Sequence, residues 1–550
     1  MASSSTVTQE TTAEEDLAFW KGRIEREPAV VLELWRAAFR KRSGRSNIDN
    51  TELWTITIAI SFLSQAAGSG ENKFVNGRPW AEPKTARVFA ALRKNGLCAV
   101  CEEIVKQPDF FDLFLPFTIA VLDIIEAICV LELWLPVVDV SEVKSLGECV
   151  TRSLWAHKDY FLEGGPILDA PPEYGGQKEF SVRLRNTVVD LLAPFLFELA
   201  HKQNWGAQDD LRRIGLFCWL HTEGNEADIL PTHIFKPILP LDTKPDPSMI
   251  DMERGPLSEV IRFTTEEAVP TYGAEPILRR LCQTLRAPWI VDAKLVALMQ
   301  GVSLPILDAK MNAKLASTGL LLAWRDAVDR QFRDGTDVTS NWQVLDYTLQ
   351  VFSVITIDVP IADGSAHLVR ECGVVELVSR AVRMYPELGA SEKGSALKEC
   401  LRSISAYKKF AAAMNMRSGK NTLRKTFKQQ MHREWYPTLQ YLRSQSRSNI
   451  GTEKLLLAWD DFGKAVGLSE EQEKAKHARE AKKAAAERAH HCAWKECRFN
   501  EEKHPMPTTL RACSGCGVAR YCSRECQRKD WKTGHKIDCR RLREAEGAFV

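Results

Sequence analysis

The sequence predicts a mostly α-helical body followed by a small, cysteine-rich C-terminal unit. Three observations lead there. Apolar residues recur at helix spacing from about residue 15 to residue 465. Alternating strands bounded by hairpin turns are scarce. Seven of the 15 cysteines crowd into the 48 residues from Cys492 to Cys539.

Taken in chain order, residues 1–14 are rich in Ser, Thr and Glu and read as a disordered tail. Residues 15–466 read as the helical body. "PAVVLELWRAAFRKR" (28–42) spaces Val31, Leu34, Trp35 and Phe39 for one helix face and ends on cations, as a helix C-terminus favours. Residues 85–108 read as two helices, the first stopped near Asn95-Gly96 and the second by Pro108. Comparable patterns cover 182–202, 274–302, 310–331, 340–356, 367–384, 394–414 and 450–466. "VLELW" occurs at 31–35 and 130–134, and "LLLAW" at 320–324 and 455–459. Stacked helix pairs of a degenerate HEAT or armadillo kind would produce such echoes, and so would chance within a compact helical bundle. Six prolines between 230 and 256 rule out continuous helix there and divide the body into two expected subdomains. Residues 68–83 and 161–180 read as loops.

Residues 467–491 read as a charged helical linker. "SEEQEKAKHAREAKKAAAERAH" lacks large apolar residues, so a solvated, semi-rigid spacer with pairs such as Glu473–His477 is expected. Residues 540–550 form a tail.

Composition excludes several function classes. A net charge of +2 gives no global attraction to nucleic acid, so nucleic acid is not the expected partner and any such attraction must be local. The most apolar run, 113–138, contains Asp123, Glu126 and Glu132. Each carboxylate costs about 2.5–3.5 kcal/mol at bilayer depth, so the run reads as buried helix and no membrane association is expected. The opening residues lack a basic start and an apolar stretch, which points to an intracellular setting, cytoplasmic or nuclear. Clustered cysteines in a reducing compartment bind metal rather than form disulfides.

The clustered donors fall into pairs: Cys492-x4-Cys497, Cys513-x2-Cys516, Cys522-x3-Cys526 and His535-x3-Cys539. Eight soft donors make two closed tetrahedral zinc sites, which leave no open position for a reactive water. Cys522 and Cys526 sit one helical turn apart, as do His535 and Cys539. Gly515 lets "CSGC" turn tightly, and Gly517 follows the second ligand. A segment this short cannot fold on apolar burial alone, so two Zn²⁺ ions would act as its staple. Seven thiolates and two Zn²⁺ leave a charge of −3, and ten basic against three acidic residues between Arg511 and Arg543 offset it.

The order C-x4-C, C-x2-C, Y-C-x3-C-Q, D-W and H-x3-C resembles the MYND-type zinc finger across residues 492–539. The 15-residue gap between Cys497 and Cys513 is longer than in many members and holds His504, read as a loop residue. The resemblance implies interleaved sites, with Cys492, Cys497, Cys522 and Cys526 on one zinc and Cys513, Cys516, His535 and Cys539 on the other. It also implies protein recruitment through short proline-containing peptides, contacted by Ser514, Gln527 and Trp531. An exposed tryptophan offers a flat face to proline rings. A long helical region before a C-terminal finger is also similar to fungal proteins of that layout.

The expected function is a zinc-binding, protein–protein interaction adaptor that is not an enzyme. A nucleic-acid-associated regulator using the basic finger is the alternative. A SET-type lysine methyltransferase is disfavoured because the N-H-x-C and GEE strings of such enzymes are absent. No P-loop, G-x-G-x-x-G or G-x-S-x-G string occurs. Cys98-x2-Cys101 lies inside an apolar helix and reads as core, and His201, His221 and His233 show no ligand spacing.

Overall fold

A computed structural model describes residues 5–42, 51–68, 83–113, 115–134, 140–161, 176–192, 196–202, 209–222, 227–236, 256–358, 363–415, 422–445, 450–536 and 539. The described chain is almost entirely helical. Its strands are two dipeptides, Arg511–Ala512 and Arg520–Tyr521. It divides into two compact units, Met1–Leu377 and Val378–Val550. The proline-rich stretch expected to divide the body lies largely outside the described residues, at 237–255.

Within the first unit, helix boundaries follow local chemistry. Pro28 occupies the first turn of Pro28–Arg40, where its missing N–H costs nothing. Asn95-Gly96 separates Pro83–Lys94 from Leu97–Val105, with Gly96 at φ 94°. The 274–302 pattern divides into Ala274–Arg286 and Asp292–Val302 because Pro288 interrupts it. The first helix runs Ser5–Arg26 and takes in much of the Ser/Thr/Glu-rich start. The apolar run forms the helix Leu115–Trp134, buried in the body, and among the described residues no helix is long and apolar enough to cross a membrane. Cys98 and Cys101 are buried in the same core, and burial pushes the Cys98 thiol up to about 11.

Tryptophans lock neighbouring helices together. The indole N–H of Trp35 donates to Thr57 Oγ1 at 2.8 Å, that of Trp324 to Thr348 Oγ1 at 2.9 Å, and that of Trp219 to Thr284 Oγ1 at 3.2 Å. All six side chains are buried, so each bond satisfies a donor that water cannot reach. In the second unit the device is reciprocal. Trp435 of Thr422–Gln445 and Trp459 of Ile450–Ala465 each donate to the other's backbone carbonyl, at 2.9 and 3.0 Å. Gly463 permits this close approach, since a Cβ there would stand 2.1 Å from the Trp435 ring. Trp35, Trp324 and Trp459 belong to the "VLELW" and "LLLAW" echoes, which therefore mark interhelix contacts.

The linker forms the helix Glu470–Arg488. It is not solvated throughout. Glu473 is buried and accepts from His432 Nδ1 at 2.6 Å, while Arg443 holds both oxygens of Glu470. His477 stacks on Tyr436 at 5.5 Å and reaches the His432 carbonyl at 3.1 Å. The expected Glu473–His477 pair gives way to these contacts, because both side chains turn toward Thr422–Gln445. From Ala478 onward the described side chains of the helix are exposed.

Candidate metal centre

The cysteine-rich segment folds around its donors. Arg511–Ala512 and Arg520–Tyr521 pair antiparallel, Arg511 opposite Tyr521 and Ala512 opposite Arg520. The Cys513 N–H donates to the Ala519 carbonyl at 2.7 Å and Gly517 N–H to the Cys513 carbonyl at 2.8 Å, closing the turn that carries the second pair. Gly517 sits at φ 71°, where a side chain would be strained. Gly515 is needed for a different reason from the turn expected: a Cβ there would stand 2.6 Å from Cys539 Sγ. Ser523 caps the helix Arg524–Asp530 by accepting from the Cys526 N–H at 3.1 Å, which holds the third pair in register.

The eight donors sort into two sets, each with its ligand atoms within 4.8 Å of one another: Cys492, Cys497, Cys522 and Cys526; and Cys513, Cys516, His535 and Cys539. The interleaving implied by the resemblance is the observed one. Sγ atoms of Cys497 and Cys522 lie 3.6 Å apart, those of Cys522 and Cys526 3.4 Å, and those of Cys513 and Cys539 3.9 Å. Cys516 Sγ stands 3.8 Å from His535 Nε2. A tetrahedron with Zn–S near 2.3 Å has edges of about 3.8 Å, so both sets fit zinc. With four protein donors each, both sites are closed.

The electrostatics suit cation binding. Burial pushes the Cys513 thiol up, but the backbone N–H groups of Cys516 and Gly515 and the His535 ring outweigh it and hold the thiol down at about 6. Burial and the neighbouring Cys513 push Cys539 up to about 11. A site that starts with mixed protonation must shed protons to take metal.

Asp530 is a residue whose role its spacing did not reveal. Its Oδ2 accepts from Tyr521 OH at 2.7 Å and stands 3.9 Å from His535 Nδ1, behind the zinc-facing nitrogen. A carboxylate there orients the imidazole and favours its ligating tautomer. Tyr521 is buried in the centre of the finger, among the ligand cysteines with Ala493, Trp494 and Phe499 around them. So few apolar residues could not hold the unit without metal.

The remaining predicted residues lie at the surface of this unit. Ser514 is exposed in the turn between Cys513 and Cys516, and Gln527 is half-buried on Arg524–Asp530. Trp531 is 41% exposed, with its ring 5.9 Å from that of His535. His504 is no ligand: its ring packs on Phe499 at 4.5 Å, and its backbone N–H donates to the His490 carbonyl at 2.8 Å.

Comparison with known proteins agrees with this geometry. The family described as MYND finger matches residues 491–539. An F-box protein of Arabidopsis thaliana is 56% identical over 42 residues, 7% of this chain and 11% of its own length. Ubiquitin carboxyl-terminal hydrolase 19 of the same plant is 45% identical over 42 residues, 8% of this chain and 6% of its own. The chain thus matches only about a tenth or less of these relatives. Among solved structures, a circular tandem repeat protein with novel repeat topology and enhanced subunit contact surfaces aligns over 86% of this chain and all of its own. Its identity is 14% and its TM-score 0.23, too low to bear on the fold. The family match and both four-donor sets fall on the same stretch of chain, and residues 491–539 are a MYND-type zinc finger.

Proposed function

We propose that this chain is a non-enzymatic, intracellular adaptor, whose finger recruits a protein partner through a proline-containing peptide while the helical body serves as scaffold. The observation that carries the proposal is the pairing of two closed metal sites with an exposed tryptophan beside them. A zinc ion with four protein donors has no position for substrate or reactive water, so its contribution is to hold shape. The shape it holds presents Trp531. Gln527 and Trp531 are four residues apart and share a face. Ser514 belongs to the turn of the ligands Cys513 and Cys516, which share their zinc with His535, the ring that Trp531 packs against. An aromatic face, an amide and a hydroxyl are suited to an extended proline-containing peptide. One short peptide on so small a surface binds at about micromolar affinity, near −8 kcal/mol, and a second contact on the body would raise the effective affinity.

Affinity capture with wild-type protein and Trp531→Ala tests this. The variant should keep both zinc ions and lose at least one captured protein, and that protein should be displaced by a proline-containing peptide. Unchanged capture by Trp531→Ala, where Cys522→Ala loses the partner, would move the contact elsewhere on the finger. Unchanged capture by both would end the adaptor proposal.

A further inference from the structure

The end of the linker helix and the finger enclose a cavity of about 520 Å³ within the second unit. Its volume falls in the range of ligand pockets. Ala493, Val518 and Ala519 give it small apolar walls, and three cations reach it from three separate stretches of chain. Arg488 ends Glu470–Arg488, Lys495 follows the first ligand, and Arg520 belongs to the strand Arg520–Tyr521. Arg488 and Lys495 are exposed, and Arg520 is half-buried. Among the described residues, the side chains of Lys495 and Arg520 have no hydrogen-bond or ion-pair partner, and Arg488 bonds only the Ala484 carbonyl of its own helix, at 3.3 Å. The two carboxylates that line the cavity are already engaged, Glu487 with Lys503 at 2.7 Å and Asp530 with Tyr521 and His535. The metal–thiolate charge does not cancel the cations either. Between Arg488 and Cys539 eleven Lys and Arg face six Asp and Glu, an excess of five, and the −3 of two loaded zinc sites leaves +2.

We infer that this cavity receives a phosphorylated side chain of the peptide that the finger recruits. The inference rests on the adaptor proposal for the peptide itself and adds what that peptide must carry. Three unpaired cations around one space call for an anion. A carboxylate brings one charge and two oxygens, enough for a single arginine fork. A phosphate monoester brings a charge of about −1.5 to −2 and three acceptor oxygens, enough for two arginines and a lysine together. The small side chains of Ala493, Val518 and Ala519 leave room for the apolar stem that carries the phosphate. Position makes the source a peptide. His535 lines the cavity, and its ring packs at 5.9 Å against Trp531, the aromatic face proposed for proline. A chain lying on Trp531 therefore has the cavity within reach of a neighbouring side chain. A nucleic-acid backbone needs a row of phosphate contacts along an open face, whereas a cavity of this size takes one projecting group.

The test is fluorescence anisotropy of the zinc-loaded full chain with mixed-sequence peptide libraries of about ten residues, each with one fixed proline. Phosphoserine, serine or glutamate is scanned through the positions on either side of the proline. At one spacing phosphoserine should bind at least about tenfold more tightly than serine, and at least about threefold more tightly than glutamate. Arg488→Gln/Lys495→Gln/Arg520→Gln should lose that preference and keep about two zinc ions per chain. Arg488→Gln/Lys495→Gln, which changes only exposed side chains, should lose most of it. Arg511→Gln/Arg524→Gln, cations of the finger outside the cavity, should keep it. Proline-dependent binding with no preference for phosphoserine overturns the inference and leaves the adaptor proposal standing. Phosphoserine-dependent binding that survives both Trp531→Ala and replacement of the proline supports the cavity and removes the proline contact. The inference is also overturned if no library binds, if glutamate equals phosphoserine, or if the triple variant keeps the preference. Displacement by free O-phosphoserine, or by an oligothymidylate of about ten nucleotides, at lower concentration than by the phosphopeptide overturns it as well.

Discussion

Position 515 has no room for a methyl group beside a ligand of the second zinc site. The Cβ of Gly515→Ala would stand 2.6 Å from Cys539 Sγ, inside any real carbon–sulfur contact, so the ligand must move off its vertex. Metal analysis of the purified variant should show the ratio falling from about two zinc ions per chain toward about one, since each closed tetrahedron needs all four donors. A ratio unchanged at two would mean that Cys539 has another way to reach its metal. Asp530 belongs to the same scale: it supports His535 from behind and takes the Tyr521 proton donor, so one carboxylate joins the hydrophobic centre of the finger to its second site.

Among the elements, the tryptophan–threonine bonds show how helices with little sequence similarity are held in register. Thr348 is buried and accepts from the Trp324 indole at 2.9 Å while donating to the Val344 carbonyl at 2.7 Å. Thr348→Val keeps the shape, removes the acceptor and leaves an indole N–H buried without a partner. The expected cost is about 1–3 kcal/mol, against less than about 1 kcal/mol for Thr348→Ser, which keeps the hydroxyl. Denaturant midpoints of the two variants decide this, and a larger loss for Thr348→Ser than for Thr348→Val would mean that methyl packing and not the hydrogen bond is at stake. The linker helix shows the same economy. Its first two turns are tied to Thr422–Gln445 by Glu470, Glu473 and His477, and the alanine-rich remainder is left to water.

For the whole molecule, the metal sites and the helical body draw on different sources of stability. The body is held by burial of large side chains such as Trp35, Trp219 and Trp324, while the finger is held by its ligands. Structural zinc supplies ~10–16 kcal/mol of apparent folding free energy in finger peptides. Chelation should therefore unfold residues 491–539 and leave most of the helical circular dichroism in place. Amide exchange should show loss of protection confined to the finger. Collapse of the entire helical signal would mean that the finger stabilises the body as well.

Much of this was legible in the amino-acid order alone, for reasons of range. Helical periodicity, the Asn95-Gly96 stop and the Pro288 break act within one or two turns, so the mostly helical class and many boundaries could be read directly. The ligand pairs could be read for the same reason, because spacings of three to five residues let both donors of a pair reach one metal. The pairing of pairs is not local: the resemblance implied it, and the fold brings Cys497 within 3.6 Å of Cys522 across 25 positions. The helix Thr422–Gln445 was missed, since Pro437 and its many charges mask the pattern, and reciprocal bonds to Trp459 hold it all the same. Only tertiary structure decided that Glu473 and His477 turn to the body rather than to each other, that Gly515 answers to a distant sulfur, and that Trp531 faces water. Each depends on which surfaces meet across many residues, and composition and spacing carry no term for that.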